Sequence, residues 1–330
     1  MRNKNKLQNF NASKYTKYFL SFSLACLLIG VIFFCIFGFN LGMDFTGGAT
    51  YEVKVGDITE TEYNNLKTEL GQVVSNEGVS YSISTKNSGA DMVMEIKCQT
   101  QSETVQTTLL EKLEAATTYD VVSNGFQGAT TTGETLTNAF IAIFLALIAM
   151  LVYIAIRFEL ISGVAALVAL LHDVLLMCVF VVLCRIEVNA SFVAAIITIL
   201  GYSINNTIII FDRIRENMKM PDLQKSTPKE IADLSVRQTL RRTINTSITT
   251  ILAIALLTIL GVPSMREFVL PIFIGLIVGT YSSIFISPQL WSYLMTRSKK
   301  LDKKRRQKET DAVVKAEQQT VVEAEASPVK

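Results

Sequence analysis

Long apolar stretches, nearly free of charged side chains, dominate the hydropathy pattern of this chain. A helix needs about 20 residues to cross roughly 30 Å of hydrocarbon. Six stretches reach that length: residues 18–43, 135–156, 160–184, 188–211, 243–265 and 268–296. The pattern therefore predicts a polytopic α-helical membrane protein with six transmembrane helices. The first stretch has 26 uncharged residues, more than the apolar core of a cleaved signal peptide, and is predicted to be a retained anchor.

The segment between the first two spans, residues 44–134, is predicted to be a separate α+β domain. Its alternation and periodicity predict strands at 49–55, 79–85, 91–98 and 119–123, and helices at 59–76 and 102–117. The order β-α-β-β-α-β is that of a ferredoxin-like fold. A Thr- and Gly-rich stretch at 125–133 is expected to link this domain to the five-helix region at 135–296.

The distribution of Lys and Arg predicts the orientation, because basic segments remain on the cytoplasmic side. The arm at residues 1–17 carries five basic residues and no acid. With that arm inside, the 212–242 loop and the 297–330 tail are also cytoplasmic, and the α+β domain is extracytoplasmic. This arrangement places 24 of the 31 basic residues in the cytoplasm, whereas the reverse orientation would invert the asymmetry.

The tail begins with a basic cluster beside the last span and continues as a Glu-, Gln-, Ala- and Val-rich stretch. A basic cluster in this place is typical of contact with anionic membrane lipid, with ribosome contact as the alternative. The stretch that follows is predicted to be disordered.

The composition excludes an ordinary soluble domain, since only 18% of the residues are charged and 50% are hydrophobic. The net charge of +2 gives no reason to expect a nucleic-acid partner. Cys98 is the one cysteine in the α+β domain, so no internal disulfide is expected there. No Cys/His spacing predicts a metal, and no HExxH or GxSxG motif predicts an enzyme or a cofactor.

His172 and Asp173 are the only side chains within the six spans that could carry a charge. A charged side chain near the middle of a bilayer costs at least about 2.5 kcal/mol, and such residues usually face a bundle interior or water. The pair is therefore a candidate for ion coupling. The alternative is a neutral pair that hydrogen-bonds between helices.

Two asparagines interrupt the fourth span. Positions seven apart share a helix face, so Asn205 is expected to align with Asp212, and Asn206 with Arg213. These four residues are ion-coupling candidates. The alternative for the asparagines is interhelical hydrogen bonding worth about 1 kcal/mol.

Arg241 and Arg242 stand directly before the fifth span, and a run of Thr, Asn and Ser follows them. This composition indicates a helix end that faces a polar interior. Arg242 is therefore the fifth-span candidate for ion coupling, although it could instead extend its side chain to the membrane surface.

Glycines mark two structural motifs. Gly47 and Gly48 allow a sharp turn where the first span ends, and Asp44 beside them is either an interfacial acid or a fixed contact with a neighbouring helix. Gly275 and Gly279 form a small-xxx-small face on the sixth span, which predicts close helix packing.

Five segments in order resemble the SecF family, the smaller membrane subunits that work with SecD beside the bacterial Sec protein-export channel. They are DFTGG at 44–48, ALLHDV at 169–174, ILGYSINNTIIIFDRIREN at 199–217, TLRRTINTS at 239–247 and GTYSSIFISP at 279–288. The resemblance implies a membrane region of RND type in the bacterial cytoplasmic membrane. It also implies an accessory role in protein translocation, in which proton flow moves the extracytoplasmic domains. The implied partners are SecD, the SecYEG channel, YidC with auxiliary subunits, the unfolded polypeptide in transit and membrane lipid.

The fourth span departs from the family pattern, which reads Asn-Asp where this chain has Asn205 and Asn206. The acid that the family associates with proton transfer is thus absent, while its arginine partner matches Arg242. An amide does not take up and release a proton near neutral pH. Three explanations stay open: SecD supplies the acid, Asp173 supplies it, or the protein is a non-coupled assembly subunit. An RND-type exporter subunit is a further alternative.

Overall fold

A computed structural model describes residues 10–56, 58–88, 91–100, 102–261, 263–301 and 307. The helices are α1 (Ala12–Phe37), α2 (Met43–Thr46), α3 (Glu60–Asn76), α4 (Glu103–Ala116), α5 (Ala129–Arg157), α6 (Leu160–Leu183), α7 (Ala190–Lys219), α8 (Pro228–Leu260), α9 (Pro263–Phe285) and α10 (287–301). The strands are β1 (Gly48–Gly56), β2 (Ser80–Ser88), β3 (Asp91–Gln99) and β4 (Asp120–Gln127). The start of the basic arm and most of the predicted disordered tail lie outside the described residues.

Six helical segments are long and apolar enough to cross a membrane, as the hydropathy pattern predicts. They are α1, α5, α6, α7, α8 and the α9–α10 run. The last of these is interrupted at Ile286. Pro288 follows two residues later, and because proline has no backbone N–H it cannot donate the helical hydrogen bond to the carbonyl group four residues earlier.

Several helices continue past the predicted spans. Helix α1 begins at Ala12, so part of the predicted arm is helical. The predicted 212–242 loop is also mostly helix, because α7 continues to Lys219 and α8 already begins at Pro228. A capping box between Thr227 and Glu230 fixes the start of α8.

The α+β domain has the predicted ferredoxin-like topology. Its four strands lie in the order β2-β3-β1-β4, and every neighbouring pair is antiparallel. Helices α3 and α4 pack on this sheet, and the core contains the fully buried Tyr51, Leu70 and Ile96. Burial also raises the pKa of the Cys98 thiol to about 12.

The segment at 125–133, predicted to be a linker, instead belongs almost entirely to regular secondary structure. Strand β4 continues to Gln127, and α5 begins at Ala129 after the single residue Gly128. Thr50 of β1 pairs with Gly125 of β4, whereas Tyr51 pairs with Ser123, so β4 has one extra residue at this point. Gly125 has a φ of +157°. The glycine and threonines of this segment therefore form a bulged strand end and a helix start, which join the domain directly to α5.

Helices α6, α7 and α9 form the centre of the membrane region. In the most apolar part of α6 and of α7, about half of the residues are buried inside the protein, compared with 6% in α5 and 11% in α1. Helix α7 packs against α6, α8 and α9. Polar side chains on the inward faces of these helices are thus removed from lipid, and the candidate site lies among them.

Candidate functional site

Asp173 lies in the centre of the helical bundle with a carboxylate that is only 1% exposed. Its Oδ2 accepts a hydrogen bond from the Ser203 hydroxyl of α7 at 2.5 Å, and its Oδ1 lies 2.9 Å from His172 Nδ1. His172 packs edge-on against Tyr281 of α9, with the ring centroids 5.9 Å apart. Within the described part of the chain, its buried Nε2 has no hydrogen-bond partner.

Glycines of α9 allow this helix to approach α7 beside Asp173. A Cβ atom added to Gly275 would lie 2.6 Å from Ile199 Cγ1. One added to Gly279 would lie 3.1 Å from Ser203 Cβ and 3.6 Å from Asp173 Oδ2. The predicted small-xxx-small face therefore lies against α7, and Gly279 contacts the candidate site itself.

The two asparagines of α7 face different surroundings. Asn206 is fully buried, and its Nδ2 donates to Ser247 of α8 at 3.4 Å. Its Oδ1 has no partner among the residues that the structure describes, and neither does the buried hydroxyl of Thr243. Asn205 instead faces an open cavity. The neighbouring amides are thus separated into a buried position and a cavity position.

A cavity of about 550 Å³ opens at the end of the bundle away from the α+β domain, and we call it the distal cavity. It is lined by Asn205, Ile208, Ile209, Asp212, Arg213, Glu216, Gln238, Thr239 and Arg242. Asp212 lies here with Asn205, as their seven-residue spacing predicts. Arg213 also lines the cavity, whereas Asn206, its expected neighbour, does not.

Charged groups around the distal cavity differ in their partners. Asp212 pairs with Arg157 at 3.4 Å, and Arg213 donates to Glu216 at 2.5 Å and to Gln238 at 2.6 Å. No described carboxylate lies within ion-pair distance of Arg242. This guanidinium is therefore available to an anionic group that enters the cavity.

A series of buried polar side chains connects the distal cavity to Asp173. On α8, successive four-residue steps lead from the cavity wall into the bundle, and one helical turn separates each step. The hydrogen bond from Asn206 to Ser247 then leads to α7. On α7, Ser203 lies about one helical turn from Asn206 and donates to Asp173. We call this series the polar ladder: Thr239, Thr243, Ser247, Asn206, Ser203 and Asp173, each less than 10% exposed.

At the other end of α7, the segment that leaves α1 is fixed to the helix start. Asp44 Oδ2 accepts a hydrogen bond from the Ala190 N–H at 2.8 Å. This carboxylate lies where the positive end of the helix dipole favours an anion. A Cβ atom on Gly48 would collide with the carbonyl oxygen of Cys98. Of the two interpretations of Asp44, the structure shows the fixed contact with a neighbouring helix.

Lys97 of β3 connects the α+β domain to two membrane helices. Its Nζ lies 3.3 Å from Glu187 in the α6–α7 loop and 3.6 Å from Glu267 of α9. Asn189, the N-cap of α7, donates to Glu267 at 2.8 Å. Burial alone would lower the pKa of Lys97, but the carboxylates around it hold this pKa above its usual value. We call this cluster the domain junction: Asp44, Lys97, Glu187, Asn189 and Glu267.

A second contact that the sequence did not predict fixes the start of α1. Asp233 of α8 accepts hydrogen bonds from the Ser13 N–H at 2.9 Å, from the Ser13 hydroxyl at 2.6 Å and from Gln289 of α10 at 3.0 Å. A side chain from one membrane helix therefore provides the N-terminal cap of another.

Comparisons with known proteins identify the family of this architecture. The family described as "SecD/SecF GG Motif" matches residues 32–57, which contain Asp44, Gly47 and Gly48. The family described as "Protein export membrane protein SecD/SecF, C-terminal" matches residues 105–297, more than half of the chain. The chain belongs to the SecD/SecF family. The helices that form the polar ladder lie within the second match, and of the domain junction only Lys97 lies outside both matched ranges.

Two curated relatives show how much of a family member this chain represents. The protein translocase subunit SecF of Sebaldella termitidis is 37% identical, over 89% of this chain and 94% of that protein. The protein translocase subunit SecDF of Bacillus subtilis is 35% identical over 89% of this chain, which spans only 39% of the longer protein. The chain thus has the extent of a separate SecF subunit and less than half the extent of a SecDF protein.

Solved structures agree with this assignment. The crystal structure of SecDF from Thermus thermophilus, a translocon-associated membrane protein, overlays with a TM-score of 0.72 at 31% identity. It covers 88% of this chain, which spans 39% of that protein. A crystal structure of SecDF in a super-membrane-facing form overlays with a TM-score of 0.62 at 29% identity. Six membrane helices with one α+β domain between the first two therefore correspond to one part of SecDF.

Proposed function

We propose that this protein is an accessory subunit of the bacterial Sec translocase and that it acts with SecD to promote polypeptide export. The similarity to a SecF subunit over 94% of that protein's length is the observation that carries the proposal. Its role is non-enzymatic. SecDF relatives contain more than twice the length of this chain, and SecD is the subunit expected to supply the remaining part.

The proposed location is the cytoplasmic membrane, with both termini inside and the α+β domain outside. The asymmetry of basic residues supports this orientation. In this arrangement the basic cluster that begins at Arg297 is expected to face anionic lipid of the inner leaflet. A cysteine introduced at Glu60 should react with a membrane-impermeant reagent from outside, whereas one at Lys225 should not. Labelling of position 225 in intact cells would contradict the orientation.

The proton-motive force is the proposed energy source. Moving one elementary charge across 100 mV releases about 2.3 kcal/mol, which is enough to shift a two-state equilibrium substantially. The domain junction would convert this energy into movement of the α+β domain, because it joins that domain to α7 and α9. A movement of these helices would then reposition the domain against a polypeptide that leaves the SecYEG channel.

Arg242 is proposed to pair with a carboxylate that the partner brings into the distal cavity. Arg242→Leu should therefore abolish the stimulation of export while SecD still co-purifies. Arg241→Leu is the matched control, because this adjacent exposed arginine does not line the cavity. Secretion of a slow-folding client, in cells that carry each variant as the only copy, provides the measurement. Normal export with Arg242→Leu would remove this arginine from the mechanism.

A passive assembly subunit is the second candidate, and Asn206 favours it because an amide does not titrate near neutral pH. Co-purification from gently solubilised membranes tests the part common to both candidates: SecD, the SecYEG channel and YidC should be recovered. Dissipating the proton-motive force separates them. A coupled subunit should lose its stimulation of export, and a passive subunit should retain it.

A further inference from the structure

The polar ladder ends at Asp173, a buried carboxylate in the centre of the membrane region. An ionised carboxylate in a low-dielectric interior is costly unless it is paired with a cation or neutralised by a proton. Asp173 has two contacts, with Ser203 and His172, and neither is a permanent cation. A purely structural residue at this position could be apolar, so the carboxylate indicates a chemical role.

Polar atoms in the ladder, and on His172 beside its end, lack partners in the described part of the chain. Asn206 Oδ1, Thr243 Oγ1 and His172 Nε2 are buried, and none has a hydrogen-bond partner in the described ranges. Nearly all buried polar atoms in proteins are paired, and each unpaired one costs about 1–3 kcal/mol. Three such atoms along one path suit a site where a water molecule or a proton is bound transiently.

Resting on the proposed function, we propose that Asp173 and His172 form the proton-binding site of this chain, and that the polar ladder connects this site to the distal cavity. A proton that enters from the cavity forms an O–H bond on the Asp173 carboxylate and converts it to a neutral carboxylic acid. The reverse step breaks that bond and releases the proton. No other bond is broken, and the single positive charge of the proton is the only charge that moves.

The surroundings of Asp173 leave protonation as the way to neutralise it. His172 faces it from α6, Ser203 from α7 and Gly279 from α9, while Tyr281 of α9 packs on the histidine ring. Among the described residues, no lysine or arginine lies within ion-pair distance of the carboxylate. Protonation also weakens the bond that the Ser203 hydroxyl donates to this carboxyl group, because a neutral carboxyl oxygen is a weaker acceptor than an ionised one. Because Gly279 touches both groups, this change occurs at the contact between α7 and α9.

The decisive experiment moves the acid along the ladder. Asp173→Asn should remove the dependence of export on the proton-motive force. Adding Asn206→Asp to that variant returns a carboxylate to a fully buried rung three residues from Ser203, and should restore the dependence with an altered pH profile. Asp222→Asn is the control, because this exposed acid lies in the turn between α7 and α8. Export is measured against external pH, with each variant as the only copy and SecD co-purification as the assembly check.

Retention of the proton-motive-force dependence by an assembled Asp173→Asn variant would overturn the inference. Failure of the wild-type chain to co-purify with SecD or to support export would instead contradict the proposed function. If Asp173→Asn does not assemble, Ser203→Ala keeps the acid and removes its donor. The pH profile of Ser203→Ala should then differ from that of wild type, and an unchanged profile would also overturn the inference. Infrared difference spectra of the wild-type complex should show a carboxylic-acid band that changes with pH, is lost in Asp173→Asn and shifts in frequency in Asp173→Glu.

Discussion

The two polar regions along α7 differ in how completely their groups are paired. At the domain junction, Asp44 accepts from the first N–H of α7, and Lys97 lies between two carboxylates. In the polar ladder, by contrast, Asn206 and Thr243 each leave a buried oxygen without a described partner. The start of α7 is therefore fixed by contacts that hold the α+β domain. Farther along the same helix, buried polar atoms lack hydrogen-bond partners among the described residues.

The energetic consequences of this difference are opposite. Each partly exposed ion pair of the junction contributes at most about 1 kcal/mol, and several together fix the geometry of the domain. Each unpaired buried atom of the ladder costs about 1–3 kcal/mol. Proteins sacrifice stability in this way mainly at functional sites. The comparison indicates that α7 is anchored at its start and can change its contacts farther along.

The largest effect is expected where α9 packs on α7. In Gly275→Ala the added methyl group lies 2.6 Å from Ile199 Cγ1, and Ile199 is almost fully buried. Overpacking of this kind costs about 1–3 kcal/mol. The variant should have a lower unfolding temperature in lipid nanodiscs and reduced export, while the domain junction stays intact.

Gly201→Ala is the matched control on the facing helix. An added Cβ atom there has its nearest neighbour, Met150 Cε, at 3.9 Å. Alanine also has the better helix propensity, by about 1 kcal/mol. The two substitutions should therefore shift the unfolding temperature in opposite directions. Equal shifts would mean that α9 does not pack against Ile199 as described.

A smaller effect is expected at the fixed end. Asp44→Ala removes the acceptor for the Ala190 N–H and should cost about 1 kcal/mol, as the loss of a helix cap does. Hydrogen exchange should accelerate in the first turn of α7 and remain unchanged around Asp173. Asp44→Asn keeps an acceptor oxygen and should retain most of the protection. Exchange as slow in Asp44→Ala as in wild type would show that the carboxylate does not cap α7.

The sequence predicted the parts of this fold that depend on local pattern. Each of these predictions depends on a pattern within a single helix or strand. They include the hydropathy of each span, the order of strands and helices in the α+β domain, and the four-residue spacing of Gly275 and Gly279. The linker at 125–133 was wrong for a local reason as well. Threonine and glycine are common in loops, yet here they also suit a strand end and a helix start.

Contacts between distant elements were not predictable from one sequence. Lys97 lies 90 residues from Glu187 and farther still from Glu267, and isolated charges this far apart in the chain form no recognisable pattern. The same holds for the cap that Asp233 provides to α1. Spacing placed Asn205 beside Asp212, but only the packing of α8 determines that Asn206 is buried while its neighbour faces the cavity.

The smallest effect is expected for the ion pairs of Lys97. Lys97→Met removes both pairs and leaves Glu187 and Glu267 without their shared cation, at a cost of about 1 kcal/mol or less because the side chains are partly exposed. The carboxylates hold the pKa of Lys97 above its usual value. Its contribution to the free energy of unfolding is therefore fully present below about pH 10.4, the usual lysine value, and is lost as pH rises through the raised pKa.

Unfolding of wild type and Lys97→Met should accordingly differ at neutral pH, and the difference should shrink in strongly alkaline buffer. Lys112→Met is the control, since it removes an ion pair with Glu77 that lies within the α+β domain. Only the Lys97 variant should loosen the domain from the membrane helices, measured as faster hydrogen exchange in the 185–189 loop. Combining Lys97→Met with Glu267→Gln should recover part of the loss, because the two carboxylates then no longer repel each other. If the double variant is as unstable as the single one, repulsion between Glu187 and Glu267 is not the source of the cost.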